Sequence, residues 1–193
     1  FQDGARQSFI SGHDGRFFID PELVQTIEVV RGPSSALYGS GALGGVIATT
    51  TKTARDLLQE GERFGVRRTA GYQSVNDEFR VGVTGAGQSS DGVWDALANV
   101  TYRESGDIEL GSGNTLPADD EIVSTLFKLT ARPSDALEIT GSFSSFNADS
   151  TDPSNPQGAN VAGPGNELVF RDITSATAQV GLNWPPAPSA VDL

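Results

Sequence analysis

The chain has 193 residues, no Cys, and 25 acidic against 13 basic side chains, a formal net charge of −12. That charge disfavours a nucleic-acid partner. The absence of Cys excludes a disulfide framework and thiolate metal sites, and no run approaches the ~20 apolar residues of a helical membrane span. Gly contributes 23 residues, well above the usual ~7 %, so tight turns or small packed strands are numerous. The chain opens on Phe1 inside the strand-and-turn phrase FQDGARQ and contains no Met, so it reads as an internal segment of a longer protein.

Helix signals are few. Asp20-Pro21 offers an N-cap and a Pro at the first helical position, which predicts a helical turn over Pro21–Gln25. A second short turn is expected over Ala54–Gln59. Between them, IEVV at 27–30 and the β-branched run from Gly45 read as strands. After Glu62 the pattern becomes a series of alternating segments of about ten residues each. They are Gly65–Gln73, Glu78–Gly87, Val93–Arg103, Ile122–Arg132, Leu137–Phe146 and Ser175–Trp184. In the third, Trp94, Ala96, Ala98, Val100 and Tyr102 share one face and Asp95, Asn99, Thr101 and Arg103 the other, with Leu97 the exception.

Alternation alone fits either a soluble β-sandwich or a membrane barrel, and three details favour the barrel. Ten residues at ~3.4 Å, tilted ~45°, rise about 24 Å, close to the ~25 Å apolar band of outer-membrane barrels. Connections alternate in length: Gln88–Gly92, Pro133–Asp135 and Pro185–Ala190 are short, whereas Glu104–Glu121 and Asn147–Asp172 are long and polar, the short outer connection near Val75–Asp77 being the exception. Trp94 and Trp184 fall beside the short turns, with Tyr72, Phe79 and Tyr102 at the opposite ends, as two interfacial girdles require. One residue of the Arg67-Arg68 pair must then face outward, where it either snorkels or costs ~2–4 kcal/mol at mid-bilayer. Six strands with an open edge are not viable in lipid, so these strands belong to a larger barrel.

Residues 27–47 read IEVVRGPSSALYGSGALGGVI, within which Gly39, Gly41 and Gly44 form G-x-G-x-x-G after a strand. A dinucleotide site needs a helix immediately afterwards to hold the pyrophosphate. The β-branched continuation from Gly45 is instead a strand, and the glycines serve sharp backbone turns. Asp119-Asp120-Glu121 lacks the order and Gly of a calcium loop and reads as a solvated outer loop, as do Asp149, Asp152 and the stretch 147–166. With one His and no Cys, enzymatic chemistry has little support.

The 27–47 phrase resembles the end of the plug of TonB-dependent outer-membrane receptors. The resemblance implies a mainly β fold: the C-terminal part of a plug domain at 1–52, a linker at 53–62, and about six antiparallel strands over 63–193 of a 22-stranded transmembrane barrel. Gly32, Pro33, Tyr38, Gly39, Gly41, Gly44 and Gly45 carry the plug motif. The phrase from Gly12 through His13 and Phe18 to Ile19-Asp20-Pro21, together with Asp56-Leu57-Leu58, resembles the haem and haemophore receptors.

That subfamily implies His13 as one of two axial ligands offered to haem, with iron met only through haem. It also implies Arg31, with Glu28 nearby, in an ionic lock between plug and wall. Haem is then cargo, not a catalytic cofactor, and the protein is not an enzyme. The implied setting is the outer membrane of a Gram-negative bacterium, in contact with its lipid. The implied partners are the TonB–ExbB–ExbD complex, reached through an upstream box, and haem or a haem-carrying protein. Ferric siderophore and cobalamin receptors share the plug motif without requiring His13, and stand as the alternative. A soluble β-rich binding or adhesion module is the rival of another class, and a nicotinamide-dependent oxidoreductase is more distant.

Overall fold

The computed structural model describes residues 1–7, 19–154 and 166–184. It contains two sheets of consequence and one small hairpin. The smaller sheet pairs β1 (Val24–Arg31) antiparallel with β2 (Gly45–Thr51), with Arg31 opposite Gly45. Residues 1–5 lie along β2, through hydrogen bonds from the Thr49 amide to the Phe1 carbonyl and from the Asp3 amide to the Thr49 carbonyl. The expected turn after Asp20 is a 3-10 turn over Pro21–Leu23, capped by the Asp20 carboxylate, which accepts from the Glu22 amide at 2.8 Å. It stops earlier than the spacing predicts because Val24 enters β1. The turn expected over Ala54–Gln59 is likewise a 3-10 turn, Ala54–Asp56, closed by a Thr53–Asp56 capping box.

Between β1 and β2 lies a single helical turn, α1 (Ser35–Tyr38), which the sequence pattern did not announce. Gly32, Gly39, Gly41 and Gly45 around it all adopt positive φ. At Gly45 the need is acute: a Cβ would sit 2.4 Å from the Val30 carbonyl oxygen. Because β2, a strand, follows this glycine-rich stretch, no helix N-terminus exists there to cradle a pyrophosphate.

The larger sheet is an up-and-down meander in the order β10-β9-β8-β5-β4-β3 of β3 (Phe64–Gln73), β4 (Glu78–Gln88), β5 (Trp94–Ser105), β8 (Asp119–Ser134), β9 (Leu137–Pro153) and β10 (Leu168–Asn183). The hairpin of β6 (Ile108–Glu109) and β7 (Thr115–Leu116) interrupts the connection from β5 to β8. All six expected strands are present, but the last three are longer than expected. Residues 147–153 and 168–172, read as loop, are strand, as are Asp119, Asp120 and Glu121. Asp149 and Asp152 therefore sit on β9 in register with Asp172 and Val169, not in a loop. The turn expected at Pro185–Ala190 lies outside the described residues.

The sheet is inverted relative to a soluble protein. On β5, Asp95, Asn99 and Thr101 are buried while Trp94 and Val100 are exposed, Val100 by 55 %. The same outer face carries Val83, Phe127, Phe143, Val180 and Leu182, all exposed. Pairing register aligns these residues in rows, so that Arg68, Val83, Val100, Thr125, Ser145 and Ala176 share one level. Arg68 is thus the outward member of its doublet, and Arg67, beside Thr84, is the inward one. The Thr125 and Ser145 hydroxyls satisfy each other at 2.7 Å.

The apolar band on β5 runs from Trp94 to Tyr102, roughly 27 Å along the strand and about 21 Å in height at ~40° tilt. Beyond it the outer row turns polar at Glu104, Glu121, Asp149 and Asp172.

Leu97, the exception to alternation, is explained by what lies behind the sheet. It points inward with the polar residues and is 1 % exposed, packed with Leu23, Ala54, Ala86 and Leu126. This cluster, flanked by Leu57 and Leu58, joins the segment after β2 to the wall. Leu97→Ala is expected to cost about 2–5 kcal/mol, measured as a lowered midpoint of thermal unfolding, and an unchanged midpoint would refute the contact.

Candidate functional site

The inner face of the six-stranded sheet holds residues 1–7 and 19–58 through three polar clusters. The first is built on Asp3, whose positive φ of 48 suits Asp. Its carboxylate accepts from the Thr51 amide at 2.8 Å, the Thr51 hydroxyl at 2.6 Å and the Lys128 ammonium at 3.2 Å. Lys128 is 4 % exposed and donates also to the Thr51 carbonyl at 3.0 Å. In the same row of the wall, Gln179 donates to the Asp3 carbonyl, and nearby Gln2 donates to Ser144 at 3.1 Å.

The second cluster is built on Glu22, which accepts from the Thr69 hydroxyl at 2.7 Å and lies 3.5 Å from Arg80. Gly82 makes room for it: a Cβ there would fall 2.7 Å from the Thr69 hydroxyl oxygen and 3.7 Å from the Glu22 carboxylate. The third lies at the end of the short turns. Asp95, almost wholly buried, is clamped by Arg132, with Arg55 3.6 Å away, and Arg132 also donates to Glu138 at 2.7 Å. Close by, in the turn after β4, hydrogen bonds from the Ser89 hydroxyl and the Val93 amide hold the Asp91 carboxyl below its ordinary range.

At the opposite end of these contacts a cavity of about 220 Å³ opens between the Ile19–Pro21 edge and the wall. Its walls combine apolar side chains from β8, β9 and β10 with Arg103 and Asp120, which lie 3.5 Å apart.

These clusters change the picture drawn from sequence. Arg31 and Glu28 lie on β1 with exposed side chains, away from all three clusters. Of the plug motif, Tyr38 packs its ring against Phe1 with centroids 5.6 Å apart, Gly32 and Gly44 join through a backbone hydrogen bond of 3.2 Å, and Pro33 is exposed. His13 lies outside the described residues. Sequence reasoning missed Asp3, Glu22, Arg80, Asp95 and Lys128. Lys128 carried a usable signal: within Ile122–Arg132 it stands at the parity of Ser124 and Thr130, a cation in mid-strand where the other inward cation, Arg132, falls at the strand end.

A sheet whose polar face grips a small domain while its outer face stays apolar and bare is the architecture of a plugged barrel wall. Residues 1–46 match the family model of the TonB-dependent Receptor Plug Domain, and the rest of the chain continues as the strands of a barrel wall similar to those of such receptors. Over 184 residues it is 34 % identical to a hemin receptor of Yersinia pestis, covering 95 % of this chain and 27 % of that protein. Over 75 residues it is 52 % identical to the heme/hemopexin utilization protein C of Haemophilus influenzae (strain 86-028NP), covering 39 % of this chain and 11 % of that one. The solved structure of the FrpB iron transporter from Neisseria meningitidis (F3-3 variant) aligns with a TM-score of 0.77 at 26 % identity, over 94 % of this chain and 29 % of its own. The chain thus spans about a quarter of the length of the hemin receptor it matches.

Proposed function

We propose that the receptor containing this chain takes up haem across the outer membrane of a Gram-negative bacterium, driven by the TonB–ExbB–ExbD complex. The observation that carries this reading is the 34 % identity to a hemin receptor along 95 % of the chain. In this reading residues 1–52 end the plug, 53–62 link it to the barrel, and 63–193 are its first strands. The ends of the meander with short turns face the periplasm, and the cavity beside Ile19–Pro21 opens toward the cell exterior. Haem is bound and passed on without chemical change.

His13, six residues before Ile19 in the sequence, offers its imidazole to haem iron, and neutral imidazole is a strong haem ligand. Arg31 and Glu28, exposed on β1, meet carboxylates and cations of barrel strands beyond these six. Energy from TonB then displaces the plug, and the contacts to be broken include those of Asp3, Glu22 and Arg55. The likeness to FrpB, an iron transporter, keeps a second reading, a receptor of the same fold for a ferric siderophore or cobalamin.

The two readings separate on titrating the full receptor with haem. A red-shifted Soret band that is weakened in His13→Ala supports the first; an unshifted band in the wild-type receptor overturns it.

A further inference from the structure

The register of the long strands arranges the wall above the plug edge in rows. One inner row is Arg103, Ile122, Ala148 and Ile173, crossing β5, β8, β9 and β10. The next row outward is Ser105, Asp120, Ser150 and Arg171. Below the apolar stretch lies Phe146, and Ile19 of the plug edge closes the cavity. The result is an apolar strip about 14 Å across, at ~4.8 Å per strand, which is comparable to the width of a porphyrin. A guanidinium stands at one end of it.

That guanidinium has spare capacity. Arg103 is about one-third exposed, and its contact with Asp120 is a single one at 3.5 Å, longer than the ~2.7–2.9 Å of a charge-assisted hydrogen bond. Asp120 also accepts from the Ser105 hydroxyl at 3.0 Å, which divides its attention. The Arg103 Nε is buried and has no hydrogen-bond partner among the described residues. A planar fork of donors beside an apolar strip suits a flat apolar ligand with a carboxylate on its edge.

Resting on the haem reading above, we propose that Arg103 binds a haem propionate while the strip of Ile122, Ala148 and Ile173 lies against the macrocycle. The carboxylate takes the guanidinium donors that Asp120 leaves unfilled, and Asp120 with Ser105 keeps the side chain extended over the strip. Arg103 therefore selects for the ligand's charged edge and leaves the iron to other residues.

The test compares haem with haem dimethyl ester, whose propionates carry no charge, on the full detergent-solubilised receptor. Wild type is expected to bind haem about 10–100-fold more tightly than the ester, the worth of one or two charge-assisted hydrogen bonds. Arg103→Gln is expected to lose that preference by weakening haem alone, and Arg103→Lys to keep part of it. Equal weakening of haem and ester by Arg103→Gln would mark a merely structural residue and overturn the proposal. So would wild-type indifference to esterification with haem binding intact. No haem binding at all in wild type would overturn the haem reading and this inference together.

Discussion

Asp3→Asn is expected to speed hydrogen exchange along β2 about 100-fold in the intact receptor. The substitution keeps the shape and the tolerance of positive φ at this position, and its amide still exchanges hydrogen bonds with Thr51. It removes only the charge facing Lys128, which is 4 % exposed and left with the Thr51 carbonyl. Breaking a buried pair from one side costs about 3–5 kcal/mol, and the retained hydrogen bonds place this case near 3 kcal/mol, or two decades in an opening equilibrium. Adding Lys128→Met should restore most of the loss, because a buried pair replaced as a whole is often neutral. Unchanged exchange in the single variant would show that Asp3 and Lys128 do not anchor the plug to the wall.

The second large effect concerns the other face of the same strands. Ala98→Arg puts a guanidinium at the middle of the outer apolar band, level with Gly85, Phe127 and Phe143. In a bilayer it is expected to cost about 2–4 kcal/mol of folding stability, whereas on a water-exposed sheet such a change stays within about 0.5 kcal/mol. Asn147→Arg is the control, since Asn147 faces outward at the rim of the band, level with Tyr102, and the expected cost there is only ~0–1 kcal/mol. Folded fractions in phosphatidylcholine vesicles across a urea series measure both. Equal small costs at the two positions would favour the soluble rival.

The two faces also explain what could be read from the chain alone. Within the band, a largely polar inner face and a largely apolar outer face alternate, and all six strands were legible there despite Arg68, Thr125 and Ser145 on the outer row. Past Phe146 the outward residues Asn147, Asp149 and Thr151 become polar, so alternation of hydropathy vanishes although Asp149 still pairs with Glu121 and Asp172. Hydropathy marked the height of the apolar layer, not the end of hydrogen bonding. Leu97 broke the pattern for the converse reason: the inner face carries a small apolar cluster where the segment after β2 docks. The plug phrase identified itself through its glycines. The grip between plug and wall did not, because Asp3 and Lys128 are 125 residues apart and neither stands in a motif.

The extra length of β8, β9 and β10 has a mechanical consequence. Asp120, Ser150 and Arg171 are held by a continuous ladder of backbone hydrogen bonds rather than by loops, so the mouth above the plug is a stiff cup whose spacings are fixed by strand register. A cup of that kind changes its preference by exchanging side chains on a fixed lattice, two residues per step along each strand. Lengthening or trimming the connections between strands would alter what reaches the rim while leaving the lattice itself unchanged.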